Sequence, residues 1–185
     1  KLFTTLGRLD YNKNQILLLK AARLVKKQRD DFMVYILGDG DDRKKLEKYI
    51  DDNGLEKNVR ILGFTENPYP YIKNSIATVL TSLSEGFSLA LVESVMMDTP
   101  IISTNVGVAK ELTDNYKCGD IIGYDEQELA SVLIGYLNRY DGYRAVFDIG
   151  SKYDVKTEAK RTEELIDDTI KRAAVTNGMK RLPYP

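Results

Sequence analysis

Short apolar runs alternate with longer amphipathic segments six times along the chain, and this alternation limits the folds open to it. We predict strands in the apolar runs, at Leu2–Leu6, Phe32–Leu37, Val59–Leu62, Thr78–Ser82, Pro100–Thr104 and Gly119–Ile122. We predict helices in the longer segments, at Asn14–Gln28, Asp41–Asn53, Pro70–Asn74, Ser88–Met97, Ala109–Asp114 and Glu126–Asn138. A strand followed by a helix, repeated, is typical of an α/β, doubly wound parallel sheet with helices on both faces, here of about six strands. For the first helix we predict an apolar face made of Ile16, Leu19, Ala22, Leu24 and Val25.

The composition excludes several classes of function. With a net charge of −1, the chain has no basic excess that would indicate a nucleic acid or an anionic membrane surface as partner. It contains no histidine, so Ser-His-Asp and Cys-His catalysis cannot be assembled from its own residues. Its single cysteine, Cys118, has no partner for an internal disulfide, and we expect it to be a packed small residue. No apolar run reaches the ~18 to 20 residues that a membrane-spanning helix needs.

The strand pattern stops after about residue 140, which sets the predicted domain organisation. We assign residues 1–175 to one domain, with a short helix over 140–150 and a charged C-terminal helix within 151–175, followed by a tail over 176–185. The charged helix carries only a narrow apolar stripe, so we expect it to pack on this sheet or on a second domain. Because the chain opens directly on a predicted strand, we expect it to be a piece of a longer polypeptide.

The loops that follow the strands are the expected functional region, because doubly wound sheets bind ligands at the carboxyl ends of their strands. Glu85 lies in the loop after the fourth strand, and Glu93 lies about two turns into the next helix. The start of that helix, near Ser88, offers free N–H groups and a positive dipole end that suit phosphate. Two carboxylates on either side of a phosphate could hold hydroxyl groups, which is the layout of a nucleotide sugar. The alternative is that Glu93 is a surface carboxylate paired with Lys110 or another lysine.

Four short motifs occur in a familiar order and spacing. The stretch from Glu85 to Glu93 resembles the E-x7-E signature of retaining GT-B glycosyltransferases of group 1, the family 4-like kind. Gly7-Arg8-Leu9 followed by Lys13 and Asn14 resembles that family's G-R-L…K-(G/N) motif. Gly38-Asp39-Gly40 resembles its G-(D/E)-G turn, and Val59–Phe64 resembles its V…LG segment. The resemblance extends from residue 1 to about residue 170, and the motifs that are individually weak become specific together.

The resemblance implies that this chain is the C-terminal, donor-binding, Rossmann-like domain of a two-domain GT-B enzyme. Arg8 and Lys13 would hold the donor's diphosphate and stabilise its charge as it leaves, so that no metal and no other cofactor is expected. Glu85 would bind hydroxyls of the transferred sugar, and Glu93 would accept hydrogen bonds from the ribose. Phe64 would contact the base through its backbone, since a phenylalanine after a strand is usually packed inside. The remaining binding positions would be Gly7, Gly38, Gly86, Phe87, Ser88 and Leu89.

The function that follows from the resemblance is transfer of a sugar, with retained configuration, from a UDP-sugar or GDP-sugar. The acceptor would be a hydroxyl of a glycan or lipid-linked glycan held by the missing N-terminal domain, in surface polysaccharide synthesis. We expect a cytoplasmic enzyme, with peripheral membrane association left open, and no transfer by this chain alone. The alternatives are a non-catalytic nucleotide-binding module, and a GT-B-like epimerase or phosphorylase.

One stretch suggests another class of enzyme, and some residues depart from the motifs. Asp39-Gly40-Asp41-Asp42 resembles the D-x-D metal motif of other glycosyltransferases, but Asp41 or Asp42 is placed to cap the following helix, so we expect no metal. Ser88 and Ala90 stand where many relatives have glycine and proline, and we expect little effect because both residues are small. Val108 also stands where many relatives have glycine, which leaves the role of its loop open.

Overall fold

The computed structural model describes residues 1–139, and the helices and tail predicted over 140–185 lie outside the described residues. Six strands alternate with six helices in the described part: β1 (Leu2–Leu6), α1 (Gln15–Lys26), β2 (Met33–Leu37), α2 (Arg43–Asp52), β3 (Val59–Gly63), α3 (Tyr69–Asn74), β4 (Ala77–Leu80), α4 (Leu89–Met96), β5 (Ile101–Thr104), α5 (Ala109–Tyr116), β6 (Gly119–Ile122) and α6 (Glu126–Arg139). Each boundary lies within two residues of its predicted position. None of these six helices is long and apolar enough to cross a membrane.

The strands form one sheet in the order β3-β2-β1-β4-β5-β6, and every neighbouring pair is parallel. The chain runs outward from β1 to β3 and then returns to the centre, where β4 pairs with the other side of β1 through Phe3↔Ala77 and Thr4↔Thr78. This arrangement confirms the predicted doubly wound, Rossmann-like sheet. The strand order reverses between β1 and β4, and the crevice at such a reversal is where sheets of this kind bind ligands.

The central strands are buried on both faces, because helices cover the sheet on each side. All four residues of β4 and all four of β5 are buried. Phe3, Ile36 and Ile102 are among the core side chains with no exposed surface. Burial of apolar surface contributes roughly 25 cal/mol per Å² to the free energy of folding. This two-sided core therefore stabilises the strands whose carboxyl ends carry the loops.

Helix α1 buries a broader face than its sequence pattern predicts. Leu17, Leu18 and Ala21 are buried, whereas Ile16 and Leu24, which were predicted to face the core, are only partly buried. The reason is that α1 packs against both the core and helix α6. A single stripe at helical spacing therefore underestimates how much of α1 is enclosed.

The predicted cap of helix α2 is wrong. Asp42 occupies the N-cap position, but its side chain accepts no capping hydrogen bond from the backbone amides of the helix, and its carboxylate lies 3.4 Å from Lys45 Nζ. Asp41, the other candidate, lies 3.6 Å from the guanidinium of Arg8. The capping argument against a D-x-D metal motif therefore fails, and the expectation that no metal is needed depends on the cations nearby.

Candidate functional site

Two clefts open at the carboxyl ends of the strands, one on each side of the end of β1. The first, of about 350 Å³, is here named the β2-side cleft and is lined by Leu6, Gly7, Arg8, Leu37, Gly38, Asp39, Phe64, Thr65 and Pro68. The second, of about 370 Å³, is named the β4-side cleft and is lined by Leu6, Gly7, Lys13, Leu80, Glu85, Ser88, Leu89, Ala90 and Glu93. Both include Leu6 and Gly7, so an elongated ligand could occupy the two together.

The floor between the clefts is made by two loops in direct backbone contact. Gly7 N donates to the Leu37 carbonyl at 3.0 Å, and Leu9 N donates to the Asp39 carbonyl at 2.9 Å. Gly38 has a φ of +147°, and a Cβ added there would stand 1.9 Å from the Gly7 carbonyl oxygen. Glycine is therefore required at position 38 by the packing of the two loops alone.

Lys13 and Glu85 meet in the β4-side cleft. Lys13 Nζ donates to Glu85 Oε1 at 2.5 Å, and the hydroxyl of Ser82 donates to the same oxygen at 2.7 Å. The side chains of Lys13 and Glu85 are 23% and 12% exposed, so the ion pair is largely shielded from water. Partial burial strengthens the attraction between the two charges. A lysine ammonium has three donors, and this contact uses one of them.

The loops that carry this pair are bonded to each other through their backbones. Leu83 N donates to the Asn12 carbonyl at 2.7 Å, and the Asn12 side-chain amide returns a bond to the Ser84 carbonyl at 2.8 Å. The buried hydroxyl of Thr81 donates to the carbonyl of Lys13 at 3.1 Å. These contacts hold the β1–α1 and β4–α4 loops in a fixed relation, which brings the side chains of Lys13 and Glu85 within reach of each other.

Glu93 also lines the β4-side cleft. Helix α4 begins at Leu89, so Glu93 is its fifth residue and stands just over one turn into the helix, nearer to the start than predicted. The side chain is half-buried and accepts a long hydrogen bond of 3.5 Å from Tyr69 OH. The alternative pairing with Lys110 is wrong, because Lys110 pairs with Asp114 at 2.9 Å. The sequence did not predict Tyr69 as a member of the site, because the spacing of the tyrosines in this chain forms no motif that would place one beside Glu93.

The start of α4 is shaped by the loop after β5. Gly107 has a φ of +52°, and a Cβ there would lie 2.8 Å from the Phe87 carbonyl oxygen. That oxygen also accepts a bond of 3.3 Å from the amide of Val108. The loop at Val108, whose role was left open, therefore supports the backbone that leads into α4. Ser88 has a φ of +66°, a left-handed conformation that favours glycine, so the serine at this position is strained.

Arg8 lies on the other side of Gly7 from Lys13 and lines the β2-side cleft. Its side chain is 67% exposed, and its guanidinium lies 3.9 Å from Asp10 Oδ2 and 3.6 Å from Asp41 Oδ2. The structure thus places the two predicted cations in adjacent clefts. The backbone carbonyl of Arg8 accepts a bond of 2.9 Å from the side-chain amide of Gln15, a buried residue at the start of α1.

An exposed apolar side chain lines each of the two clefts. Phe64 is 80% exposed, so the expectation that it packs inside is wrong, and it overhangs the β2-side cleft. Leu89, which lines the β4-side cleft, is 68% exposed, and Phe87, two residues before it, is 44% exposed. Apolar groups held in water at a cleft mouth are available to cover a ligand that enters it. Gly86, also predicted here, has no atom within 4 Å of the position of an added Cβ.

Comparison with known proteins relates this geometry to a family. Residues 1–146 match the sequence model of the family described as "Glycosyl transferases group 1". An uncharacterised glycosyltransferase of Methanocaldococcus jannaschii is 28% identical over 184 residues, which are 97% of this chain and 45% of that protein. The "N-acetylgalactosamine-N,N'-diacetylbacillosaminyl-diphospho-undecaprenol 4-alpha-N-acetylgalactosaminyltransferase" of Campylobacter jejuni is 34% identical over 129 residues, 69% of this chain and 34% of that protein. The chain spans less than half the length of these two relatives.

A solved structure has the same arrangement of strands and helices. The crystal structure of a mutant of S. aureus TarM in complex with fondaparinux, alpha-GlcNAc-glycerol and UDP matches with a TM-score of 0.70 at 26% identity. The match covers 75% of this chain and 29% of that one. The predicted GT-B-type, Rossmann-like fold is thereby confirmed.

Proposed function

The chain belongs to the group 1 glycosyl transferases, and from this membership we propose that it is the donor-binding domain of a retaining glycosyltransferase. The donor is a nucleotide diphosphate sugar that occupies the two clefts together. The observation that carries this proposal is the Lys13–Glu85 pair, which stands in one cleft with Glu93 and the start of helix α4 at the switch point of the sheet. A cation, two carboxylates and a helix N-terminus match the groups of a sugar diphosphate nucleotide.

The diphosphate lies at the start of α4 in this proposal. The first amides of α4, at Leu89 and Ala90, lie where a helix has no intrahelical acceptor for its N–H groups. Lys13 has two further donors that can bind phosphate oxygens, and it lines the same cleft as these amides. Arg8 reaches the diphosphate from the neighbouring cleft, since its side chain is long, exposed and only loosely paired. Together these groups stabilise the negative charge that develops on the leaving diphosphate.

The two carboxylates bind hydroxyls at opposite ends of the donor. Glu85, beside Lys13, accepts from hydroxyls of the transferred sugar. Glu93 accepts from the ribose, because it faces Tyr69, whose neighbour Pro68 lines the β2-side cleft. The base then occupies the β2-side cleft under the exposed ring of Phe64. We assign uracil as this base, with support from the UDP in the TarM complex.

The reaction needs no histidine and no other general base from this chain. The bond between the sugar's anomeric carbon and the β-phosphate oxygen breaks. The acceptor oxygen forms its bond to that carbon on the same face, and its proton passes to an oxygen of the leaving diphosphate. The acceptor is a hydroxyl of a glycan or lipid-linked glycan, a class supported by the diphospho-undecaprenol named for the C. jejuni relative. A part of the protein outside this chain holds the acceptor, in the synthesis of a surface polysaccharide.

Calorimetric titration of the 185-residue chain with UDP, GDP, ADP and uridine tests the proposal. We expect UDP to bind more tightly than the other diphosphates, and uridine to bind weakly because it lacks the groups that Lys13 and Arg8 contact. The affinity for UDP should be the same in EDTA, since these side chains supply the positive charge. Equal binding of UDP and uridine would contradict a diphosphate site. Release of UDP from a UDP-sugar without an acceptor would favour an epimerase instead.

A further inference from the structure

We propose that Ser82 is a positioning residue that fixes one oxygen of Glu85 and thereby directs the other oxygen toward the transferred sugar. This inference rests on the proposed function, in which Glu85 binds sugar hydroxyls. It adds a residue that itself touches no ligand, since Ser82 has no exposed surface and does not line either cleft.

Two donors converge on a single carboxylate oxygen. Ser82 Oγ donates to Glu85 Oε1 at 2.7 Å, and Lys13 Nζ donates to the same atom at 2.5 Å. Within residues 1–139, no hydrogen bond is formed with Glu85 Oε2, while the Glu85 side chain lines the β4-side cleft. A carboxylate held by one oxygen keeps the second oxygen available as an acceptor in a defined direction.

The position of Ser82 is fixed by its own backbone contact and by burial. Its carbonyl accepts a bond of 2.6 Å from the buried hydroxyl of Thr104 in β5, so the backbone that follows β4 is tied to the neighbouring strand. The Ser82 hydroxyl is enclosed and shares no contact with solvent, so Glu85 is its acceptor whether or not a ligand is present. A donor fixed by burial limits the rotamers that the glutamate can adopt.

The second partner of Glu85 is not fixed in this way. Lys13 is partly exposed in the cleft, and a diphosphate carries more negative charge than one carboxylate. When a diphosphate binds, the ammonium of Lys13 shares or shifts its donors toward the phosphate oxygens. Ser82 is then the partner that keeps Glu85 in place, at the stage when the sugar must be held.

This role makes a specific prediction, because Ser82 can influence only the part of the donor that Glu85 contacts. In Ser82→Ala, we expect the affinity for UDP to stay within about twofold of wild type. We expect the affinity for UDP-glucose and UDP-N-acetylglucosamine, whichever of them the wild-type chain binds, to fall about tenfold, as loss of one charge-assisted hydrogen bond would give. A purely structural role would lower the affinities for UDP and UDP-sugar together.

The experiment is calorimetric titration of the 185-residue chain with UDP and with both UDP-sugars, in Ser82→Ala, Glu85→Gln and the double variant. Glu85→Gln should lose the same selectivity for sugar nucleotides, and the double variant should lose no more than Glu85→Gln alone, because Ser82 acts through Glu85. Ser103→Ala is the matched control, since Ser103 is equally buried but donates to the Thr104 carbonyl at 2.8 Å. It should leave all affinities unchanged.

Two results of these titrations would overturn the inference. Unchanged UDP-sugar affinity in Ser82→Ala, or a further loss in the double variant, would show that Ser82 does not act through Glu85. If Ser82→Ala does not fold, Ser82→Cys, which keeps the volume but donates weakly, must show the same selective loss, and equal losses for UDP and UDP-sugar there would contradict it. If the wild-type chain binds neither UDP nor a UDP-sugar, the proposed function itself fails, which is distinguishable from failure of Ser82→Ala alone.

Discussion

Lys13 Nζ lies 2.5 Å from Glu85 Oε1, although the two residues are 72 positions apart in the sequence. The contact joins the loop after β1 to the loop after β4, the two strands between which the order of the sheet reverses. The two side chains form an ion pair in a partly shielded cleft, so each charge offsets the other. In the proposed complex with a donor, Lys13 contacts the diphosphate and Glu85 contacts the sugar.

Replacing Lys13 by methionine should lower the affinity for UDP far more than the affinity for uridine, because only the diphosphate contacts the ammonium group. The stability of the fold should also fall by about 1–3 kcal/mol, since Glu85 loses a hydrogen-bonded partner in a shielded position. Calorimetry and urea denaturation measure the two effects. Lys20→Met is the control, because Lys20 pairs with Glu126 at 3.6 Å on a more exposed surface and should change neither quantity appreciably. Equal losses for UDP and uridine would remove Lys13 from the diphosphate site.

Replacing Glu93 by alanine should lower the affinity for every uridine-containing ligand, including uridine itself, by about tenfold or more. The reason is that the ribose hydroxyls would lose a charged acceptor, a loss of ~1.5 to 3 kcal/mol. Tyr69→Phe should give a smaller loss, since it removes only the long bond that orients the carboxylate. Glu56→Ala, at an exposed position, serves as the control. Unchanged affinity for uridine in Glu93→Ala would contradict the ribose assignment.

Two glycines of the predicted site should differ in how strongly alanine affects the stability of the fold. Gly38→Ala should lower the free energy of unfolding by about 2–4 kcal/mol, because a Cβ would collide with the Gly7 carbonyl in a backbone conformation that favours glycine. Gly86→Ala should change stability by about 0.5 kcal/mol or less, since no atom lies within 4 Å of the added Cβ. Chemical denaturation of both variants checks the contrast, and comparable stabilities would refute the close packing of the two loops.

The thiol of Cys118 should be unreactive in the folded protein. Burial raises its pKa from 9.0 to about 11, so the thiolate is scarce at neutral pH. Because the folded pKa lies above the unfolded one, this group's contribution to stability is full below about pH 9 and is lost as the pH rises to about 11. Iodoacetamide labelling at pH 8 should therefore require unfolding.

A second group, Tyr136, also contributes to the loss of stability at alkaline pH, and the variant Cys118→Ala distinguishes the two contributions. Burial, together with the hydrogen bond to Asp120, raises the pKa of Tyr136, so its ionisation opposes folding in the same direction. In Cys118→Ala, the decline in stability between about pH 9 and 11 should be shallower than in wild type. Identical pH profiles for the two proteins would contradict burial of an unionised thiol at this position.

The fold was predictable because its signals are local. Each strand is a short apolar run and each helix a longer amphipathic segment, so the boundaries agree within two residues. The errors arise where tertiary packing or competing polar contacts decide. Helix α1 is enclosed on more than one side by α6 and the core, and Asp42 lies near a lysine instead of capping its helix. The packing of α6 on α1 leaves no trace in the local sequence. Lys45 is only three residues from Asp42, but the sequence does not decide between this ion pair and a cap.

The candidate site was predictable in its members but not in its connections. The motifs bring Lys13, Glu85 and Glu93 into one cleft, as expected for residues at the carboxyl ends of neighbouring strands. The direct pairing of Lys13 with Glu85 depends on a contact between loops that are 72 positions apart in the sequence. The bond from Ser82 to Glu85 joins residues of one loop, but it depends on the burial of Ser82 and on the side-chain conformation of Glu85, which the sequence does not show. The strain at Ser88 also appears only with the backbone angles, since a small polar residue is ordinary before a helix.

A crystal structure of the chain with bound UDP tests the central claim most directly. We expect the β-phosphate in the β4-side cleft, within hydrogen-bond reach of Lys13 Nζ and of the first amides of α4. We also expect the ribose hydroxyls to face the carboxylate of Glu93. A nucleotide whose phosphates lie outside that cleft, with the start of α4 and Glu93 untouched, would contradict this claim.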